Sequence, residues 1–411
     1  MLPHPTDLAP IVDNLRPELV ALLQQSVRTS SLSGHEQAVA ELHRSWIAAR
    51  GWPVELRPLT ADDGVPPSEL ADGRGNVVAR FGSDGLPRIV LNGHLDVVDA
   101  GDPADWSADP FSGEQVDGAI YGRGSADMKG GIVAALWALR ALEQAGVELR
   151  VQVELQLVVG EETTGVGTRA LLAQDRWEDP LGVVVLEPTG NRIVAVNTGV
   201  QFFTVEVAGR ASHTSAPWDG VDAFANLLLV RDAMLAVADR RAAAYDHPAF
   251  AAVPTALPFA IGTVRAGAHR AAVPATATMS GRIGLAPGER IADVRSAFVD
   301  AITAACADDA WLTAHPPRIN WDNEGLPGWE TSTGTPLLRA IRGAQKQLHG
   351  SASTVGFTAG SDAGQFGGRG IPTIVFGPGD VALAHAPDEH VRVDDVERAA
   401  LVLATTLAGL R

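Results

Sequence analysis

Arg88-Ile89-Val90-Leu91-Asn92-Gly93-His94-Leu95-Asp96 decides the reading of this chain. Its first four residues read as a β-strand, and that strand runs directly into a polar ending that carries a histidine and an aspartate. In extended backbone, positions i and i+2 point to the same side. Asp96 is therefore placed to hold the His94 tautomer from behind while the other ring nitrogen binds a metal. Taken alone, an H-x-D pair reads first as a turn histidine and its neighbour.

Working outward, the same pattern of strand followed by polar residues recurs. Val151 to Val159 is a predicted strand ending at Gly160-Glu161-Glu162, and Leu181 to Leu186 is another ending at Glu187-Pro188. Gly75 to Phe81 and Thr373 to Phe376 are further strands. Glu18 to Gln25, Glu36 to Arg50 and Ile132 to Gln144 have helical spacing of apolar residues, and Ser33 with Glu36 makes a capping-box pattern. Strands alternating with helices indicate an α/β domain with a largely parallel, twisted sheet and helices on both faces. Ligands in such sheets bind beyond the carboxyl ends of the strands, where these polar motifs fall.

After Asn197-Thr198-Gly199 the texture changes. Gln201 to Val207 and Ala275 to Ile283 read as strands, and Asp222 to Asp239 and Ile291 to Ala305 as helices. These suit a smaller inserted α+β domain. The expected organisation is a catalytic domain over 1–198, an insert over 199–323, and the rest of the catalytic domain over 324–411. There are no internal repeats or low-complexity runs.

With 411 residues the chain is too long for one ordinary core. Its 46% hydrophobic and 20% charged residues are ordinary globular composition. The formal net charge is -17, from 49 acidic against 32 basic residues. No basic excess exists to neutralise phosphates, which argues against nucleic acid and anionic membrane as partners. The single cysteine, Cys306, excludes an intramolecular disulfide framework and a CxxC zinc ribbon. It falls in the Ala301–Ala310 stretch, which reads as helix, so a core position is expected. Any metal must then be held by His, Asp and Glu. Met1 to Pro10 lacks the basic start and apolar run of a signal peptide. Ile132 to Leu142 is interrupted by Arg140 and is too short to cross a bilayer. The expected location is the cytoplasm.

Asp127 lies in a glycine-rich loop before a helix. Gly122-Arg123-Gly124 suggests a dinucleotide fingerprint, but the third glycine position holds Asp127 and no ribose-binding acid follows where expected. A carboxylate bridging two cations about 3.5–4 Å apart is the sharper reading. Glu161 and Glu162 are adjacent carboxylates that repel, so unless both are solvated a cation belongs beside them. Glu187 before Pro188 is ambiguous alone, and His385 in Ala384-His385-Ala386-Pro387-Asp388-Glu389 reads alone as a solvated loop histidine. As a set, these imidazoles and carboxylates suit zinc without thiolates.

The chain resembles the M20 metallopeptidase family, whose members include acetylornithine deacetylase, succinyl-diaminopimelate desuccinylase, aminoacylase and carboxypeptidase G2. The resemblance rests on Gly93-His94-Leu95-Asp96-Val97-Val98, on Trp106 with Asp109-Pro110-Phe111, and on Tyr121-Gly122-Arg123-Gly124 with Asp127-Met128-Lys129-Gly130-Gly131. It continues through Glu161-Glu162, Leu186-Glu187-Pro188, Gly209-Arg210 with Ser212-His213, and Ala384-His385, spanning nearly the whole chain. It implies that His94, Asp127 and Glu187 bind one metal and that Asp127, Glu162 and His385 bind the other. It further implies that Glu161 is the general base and later proton donor, and that Asp96 orients His94. His213 resembles the family histidine that reaches across a homodimer and stabilises the oxyanion, which would make the insert a lid and dimerisation domain. The implied cofactor is a pair of divalent ions, Zn²⁺ first, with Co²⁺ or Mn²⁺ as alternatives.

Two departures stand out. Ala271 precedes Ala272-Val273-Pro274 where many relatives carry Asn-x-Val-Pro, and Gly284 occupies the place of a strand arginine that helps bind substrate carboxylate. Arg282, two residues earlier on the same strand face, is the available substitute. The implied activity is a metal-dependent hydrolase of amide C–N bonds that removes an acyl group from a small N-acylated amino acid or related amine. The alternatives are a dipeptidase or carboxypeptidase on the same scaffold, and a non-catalytic metal-binding protein of this fold. A serine or cysteine hydrolase is disfavoured, since no G-x-S-x-G elbow is present and Cys306 lacks a site context.

Overall fold

Ile89, Val90 and Leu91 are consecutive and fully buried, which requires a strand covered on both of its faces. The same holds for residues 153–158 of strand Gln152–Val158 and along Gly182–Val185. A computed structural model describes residues 5–70, 73–174, 177, 180–322 and 324–410. The chain forms two compact units. The first runs to Ala195 and resumes over Thr331–Val355 and from Ser361 on, and the second takes Val196–Glu330 with Gly356–Gly360. Asn323, where the sequence reading closes the insert, lies outside the described residues.

The large sheet of the first unit has the strand order Val54–Pro58, Gly75–Phe81, Gln152–Val158, Arg88–His94, Gly182–Val185, Thr373–Val375 and Ile193–Asn197. Its centre is parallel: Arg88–His94 pairs with Gln152–Val158 and with Gly182–Val185, which in turn pairs with Thr373–Val375. Towards both edges the pairing is antiparallel. The sheet is thus mixed, with the expected parallel character confined to the strands buried on both faces. The outermost strand, Val54–Pro58, has no fully buried residue. Antiparallel pairing is the kind that tolerates a wet face.

The helix Gly130–Gln144 is buried along most of its length, and Trp137 donates from Nε1 to the Val12 carbonyl at 2.9 Å. Gly131 lets this helix approach the sheet, because a Cβ there would lie 2.0 Å from the Leu186 carbonyl oxygen. The first helix extends over Pro5–Arg28, well beyond the expected Glu18–Gln25, and contains Pro10 and Pro17. Leu8, Val12, Leu15, Leu19, Leu22, Leu23 and Val27 are buried at helical spacing along it. Tertiary packing of that stripe overrides the proline signal.

The expected capping box does not form. Helix Gln37–Ala48 begins after Glu36, whose side chain makes no cap bond. Glu36 instead receives the Arg74 guanidinium at 2.7 and 2.9 Å, both side chains being buried, and takes the Gly34 N–H at 2.9 Å. A buried guanidinium needs a carboxylate partner more than a helix end exposed to water needs a cap. Ser33 turns to Asp96.

The second unit is a four-stranded antiparallel sheet in the order Phe259–Ala266, Thr276–Leu285, Gly199–Ala208 and Arg318–Trp321. Helices Ala223–Ala244 and Ile291–Cys306 contribute Leu227, Met234, Phe298 and Ile302 to its core. Cys306 is buried there, as expected. Among the described residues no helix is long and apolar enough to cross a membrane.

Candidate metal centre

The clustered side chains of the first unit come from five separate stretches of chain. His94 is the last residue of strand Arg88–His94, Glu161 and Glu162 follow Gln152–Val158, and Glu187 follows Gly182–Val185. Asp127 lies in the segment Ser125–Lys129 that leads into helix Gly130–Gln144. His385 follows the helical turn Val381–Leu383 and holds a left-handed φ of 60°. Non-glycine residues in that region cost on the order of 1–3 kcal/mol and cluster at functional sites.

The two oxygens of Asp127 face different imidazoles. Oδ1 lies 3.1 Å from His94 Nε2, and Oδ2 lies 3.4 Å from His385 Nε2. Glu187 Oε2 is 3.9 Å from His94 Nε2, and Glu162 Oε2 is 3.0 Å from His385 Nε2. Donor atoms of His94, Glu161 and Glu187 lie within 4.8 Å of one another, as do those of His94, Asp127 and Glu162.

These spacings test the fit to zinc. Four donors in a tetrahedron at roughly 2.0–2.1 Å from the ion stand about 3.3 Å apart. The imidazole–carboxylate separations bracket that value on both sides of Asp127, and the donor set is nitrogen and oxygen without sulfur. The residues fit a pair of divalent ions sharing Asp127. Glu161 is close enough to be a ligand itself, so proximity alone does not separate it from Glu162.

The electrostatics also call for cations. Burial first, and then Asp127 and Glu161, push the Glu187 carboxyl well above the usual carboxylate range. Burial, then Asp362, Glu162 and Asp96, do the same to Glu161, with His94 opposing. Asp127 is held well below the ordinary value despite burial, by hydrogen bonds from His385 and His94. His385 is raised to about 10 by Asp127 and Glu162. The imidazoles thus act as proton-bearing counter-charges, a part that divalent cations fill more completely.

The orientation of His94 comes from Asp96, but through a different atom than expected. His94 Nδ1 donates to the Asp96 carbonyl oxygen at 2.9 Å, so Nε2, which faces Asp127, is the nitrogen that would offer its lone pair to a metal once its proton is displaced. The Asp96 carboxylate stands 3.8 Å from Nδ1. It is occupied elsewhere: Oδ1 accepts the Glu161 N–H at 3.0 Å, and Oδ2 accepts the Glu162 N–H at 3.1 Å and the Ser33 hydroxyl at 2.8 Å. Gln365 donates from Nε2 to the Gly165 carbonyl at 3.0 Å and to Asp362 at 2.6 Å, so the turn carrying the glutamate pair is also held at its far end.

Several supporting residues escaped the sequence reading. Asp362 is buried, accepts the Thr168 hydroxyl at 2.6 Å, and is raised by burial to about 6. Lys129 is buried and donates to the carbonyls of Ser26 at 2.9 Å and Thr29 at 3.1 Å, and burial lowers it to about 7. Glu389 and Arg123 form a buried pair at 2.7 Å. Arg123, Lys129 and Glu389 fall inside motifs quoted from the sequence and Asp362 in the Ser361-Asp362 pair, but no role could be given to them there.

His213 and Arg282 belong to the second unit. His213 is exposed, and its Nδ1 accepts the Ser215 N–H at 3.1 Å, so the neutral ring carries its proton on Nε2. Arg282 donates from Nη2 to the Thr358 carbonyl at 2.7 Å. Gly284 has no room for a side chain, because a Cβ there would lie 2.8 Å from Leu257 Cα. That explains why an arginine cannot stand at the usual place.

The Peptidase family M20/M25/M40 model matches residues 90–409. The chain is 28% identical over 351 residues to a probable succinyl-diaminopimelate desuccinylase from Staphylococcus epidermidis, covering 79% of this chain and 84% of the relative. It is 26% identical over 390 residues to acetylornithine deacetylase from Proteus mirabilis, covering 93% and 94%. Among solved structures, aminopeptidase PepT from Bacillus cereus superposes with a TM-score of 0.74 at 20% identity, over 96% of this chain and 98% of that one.

Proposed function

Because this chain belongs to the peptidase family M20/M25/M40 and is a hydrolase of amide bonds, we propose that it removes an acyl group from a small N-acylated amino acid or related amine. The observation that carries the reading is Asp127 set between His94 and His385, with a different oxygen turned to each. His94, Asp127 and Glu187 would hold one ion, and Asp127, Glu162 and His385 the other. Zn²⁺ suits these nitrogen and oxygen donors, with Co²⁺ or Mn²⁺ as substitutes. When bound, two such ions polarise water and a carbonyl oxygen.

Glu161 is the group that moves protons. It takes one from the attacking water at a carboxylate oxygen and returns it to the leaving nitrogen. Its main-chain N–H is tied to Asp96, so the carboxylate swings from a fixed base. The His213 Nε2–H, supplied across a homodimer formed by the second unit, stabilises the oxyanion. Exposed Trp218, Phe224, Leu228 and Val264 of that unit support such an association. Arg282 is the group available for a substrate carboxylate. The amide-hydrolysing chemistry also serves a dipeptidase, so substrate identity separates the two readings.

The deciding assay offers zinc-loaded protein acetyl, formyl, succinyl and aminoacyl derivatives of many amino acids, beside the Glu161→Ala variant. Turnover of one acyl class, falling at least ~10²–10⁴-fold in the variant with metal content intact, supports the proposal. Preference for dipeptides selects the dipeptidase reading. Metal-loaded protein inert to the whole panel points to a non-catalytic role.

A further inference from the structure

Glu389 is fully buried four residues beyond His385, and nothing in the chemistry above uses it. Its carboxylate gathers four donors. Oε1 accepts the N–H groups of Ala126 and Asp127, each at 3.0 Å. Oε2 accepts the Gly124 N–H at 3.0 Å and Arg123 Nη1 at 2.7 Å. The main-chain carbonyl of Glu389 accepts the Gly122 N–H at 2.8 Å. Arg123 also reaches the Ala386 carbonyl at 3.3 Å, next to His385.

One carboxylate thus fills the concave side of the loop that presents Asp127, and its arginine partner ties that loop to the one bearing His385. Gly124 holds a φ of 80°, which lets successive N–H groups turn inward. The Asp127 loop runs between strand Ala119–Tyr121 and helix Gly130–Gln144, and Glu389 precedes strand His390–Arg392, which pairs antiparallel with Ala119–Tyr121. Between those anchors the Glu389 carboxylate ties the two loops together. A buried carboxylate that accepts several main-chain N–H groups is a strong constraint on backbone position.

The geometry points to Glu389 as a positioning residue that sets the separation of Asp127 from His385, and with it the affinity of the metal those two residues share. This inference rests on the dinuclear reading given above. The alternative is that Glu389 only stabilises the fold, and the two make different predictions for metal affinity in protein that is still folded.

The test is stepwise zinc titration against a chromophoric competing chelator, together with circular dichroism and thermal melting of the metal-free proteins, for wild type, Glu389→Gln and Arg123→Lys. An amide at position 389 replaces one acceptor with a donor that meets N–H groups, whichever way it turns. Folded Glu389→Gln should bind its second zinc equivalent about 10–100-fold more weakly, with a smaller loss for the first. Arg123→Lys, which keeps the charge but loses the fork, should weaken the second equivalent in the same direction. If Glu389→Gln does not fold, the Arg123→Lys titration decides. Wild-type affinity for both equivalents in the folded variants, whatever their melting temperature, overturns the inference and leaves the dinuclear reading standing. Wild-type protein that binds fewer than two equivalents overturns both.

Discussion

The Asp96 carboxylate accepts the main-chain N–H of Glu161 at 3.0 Å through one oxygen and that of Glu162 at 3.1 Å through the other. Two side chains with different proposed duties, Glu161 as proton carrier and Glu162 as ligand, therefore spring from a turn pinned by one buried acid. Asp96 holds His94 through its carbonyl oxygen at the same time.

Asp96→Asn should lower kcat by about 10–100-fold, the usual effect of removing a partner that orients ligands. The asparagine keeps one acceptor and gains a donor that faces an N–H group. Because the His94 contact uses main chain, the first metal should be retained. Steady-state kinetics with metal analysis checks both statements, and undiminished kcat would refute the role given to the carboxylate.

Removal of metal should abolish turnover and destabilise the first unit. Free zinc at 100 times its Kd adds about 2.7 kcal/mol to stability. Exhaustive chelation should therefore lower the melting temperature as well as activity, and zinc should restore both. Activity that survives chelation would return the serine or cysteine hydrolase to consideration.

His213→Ala should reduce kcat by about 10²–10³-fold, the loss of one oxyanion donor, without changing zinc stoichiometry. If the histidine acts across a dimer, mixing this variant with Glu161→Ala and exchanging subunits should regenerate one intact site. Two inactive proteins that stay inactive after subunit exchange would place the histidine within its own subunit or outside the reaction.

His43, which is not among the candidate ligands, gives a separate pH signature. It is fully buried against the Ser26 hydroxyl at 3.0 Å, and burial, aided by Lys129, lowers it to about 3. Below pH 6.5 the unfolded chain binds a proton at this histidine that the folded chain does not. Stability from the neutral buried ring is thus present above that pH and lost as pH falls toward 3. By pH 5 the total loss relative to the stability well above pH 6.5 is about 2 kcal/mol. Urea midpoints should show the gap between wild type and His43→Gln narrowing over this interval, and a constant gap would remove His43 as the source.

Much of this was open to reading from residue order. Alternating valine and leucine announced Gln152–Val158, a run of valines announced Gly182–Val185, and the polar residues beyond them announced the site. Local chemistry failed where a distant partner made a better offer. Ser33 and Glu36 match a capping box, yet the first bonds Asp96 and the second a buried Arg74. The helix Pro5–Arg28 overran two prolines because its apolar stripe had partners to pack on.

Residue order alone shows the kinds of candidate ligand and their succession, and it sets His94, Glu161, Glu162 and Glu187 at strand ends, because apolar periodicity and turn chemistry act over a few residues. It takes the folded chain to show that Asp127 divides its oxygens between His94 and His385, that the Asp96 carboxylate serves the glutamate turn, and that Glu389 fills the Asp127 loop. Those contacts join residues 33 to 266 positions apart. Which buried carboxylate meets which donor at such separations is set by how the whole sheet and its loops close, and no local pattern encodes it.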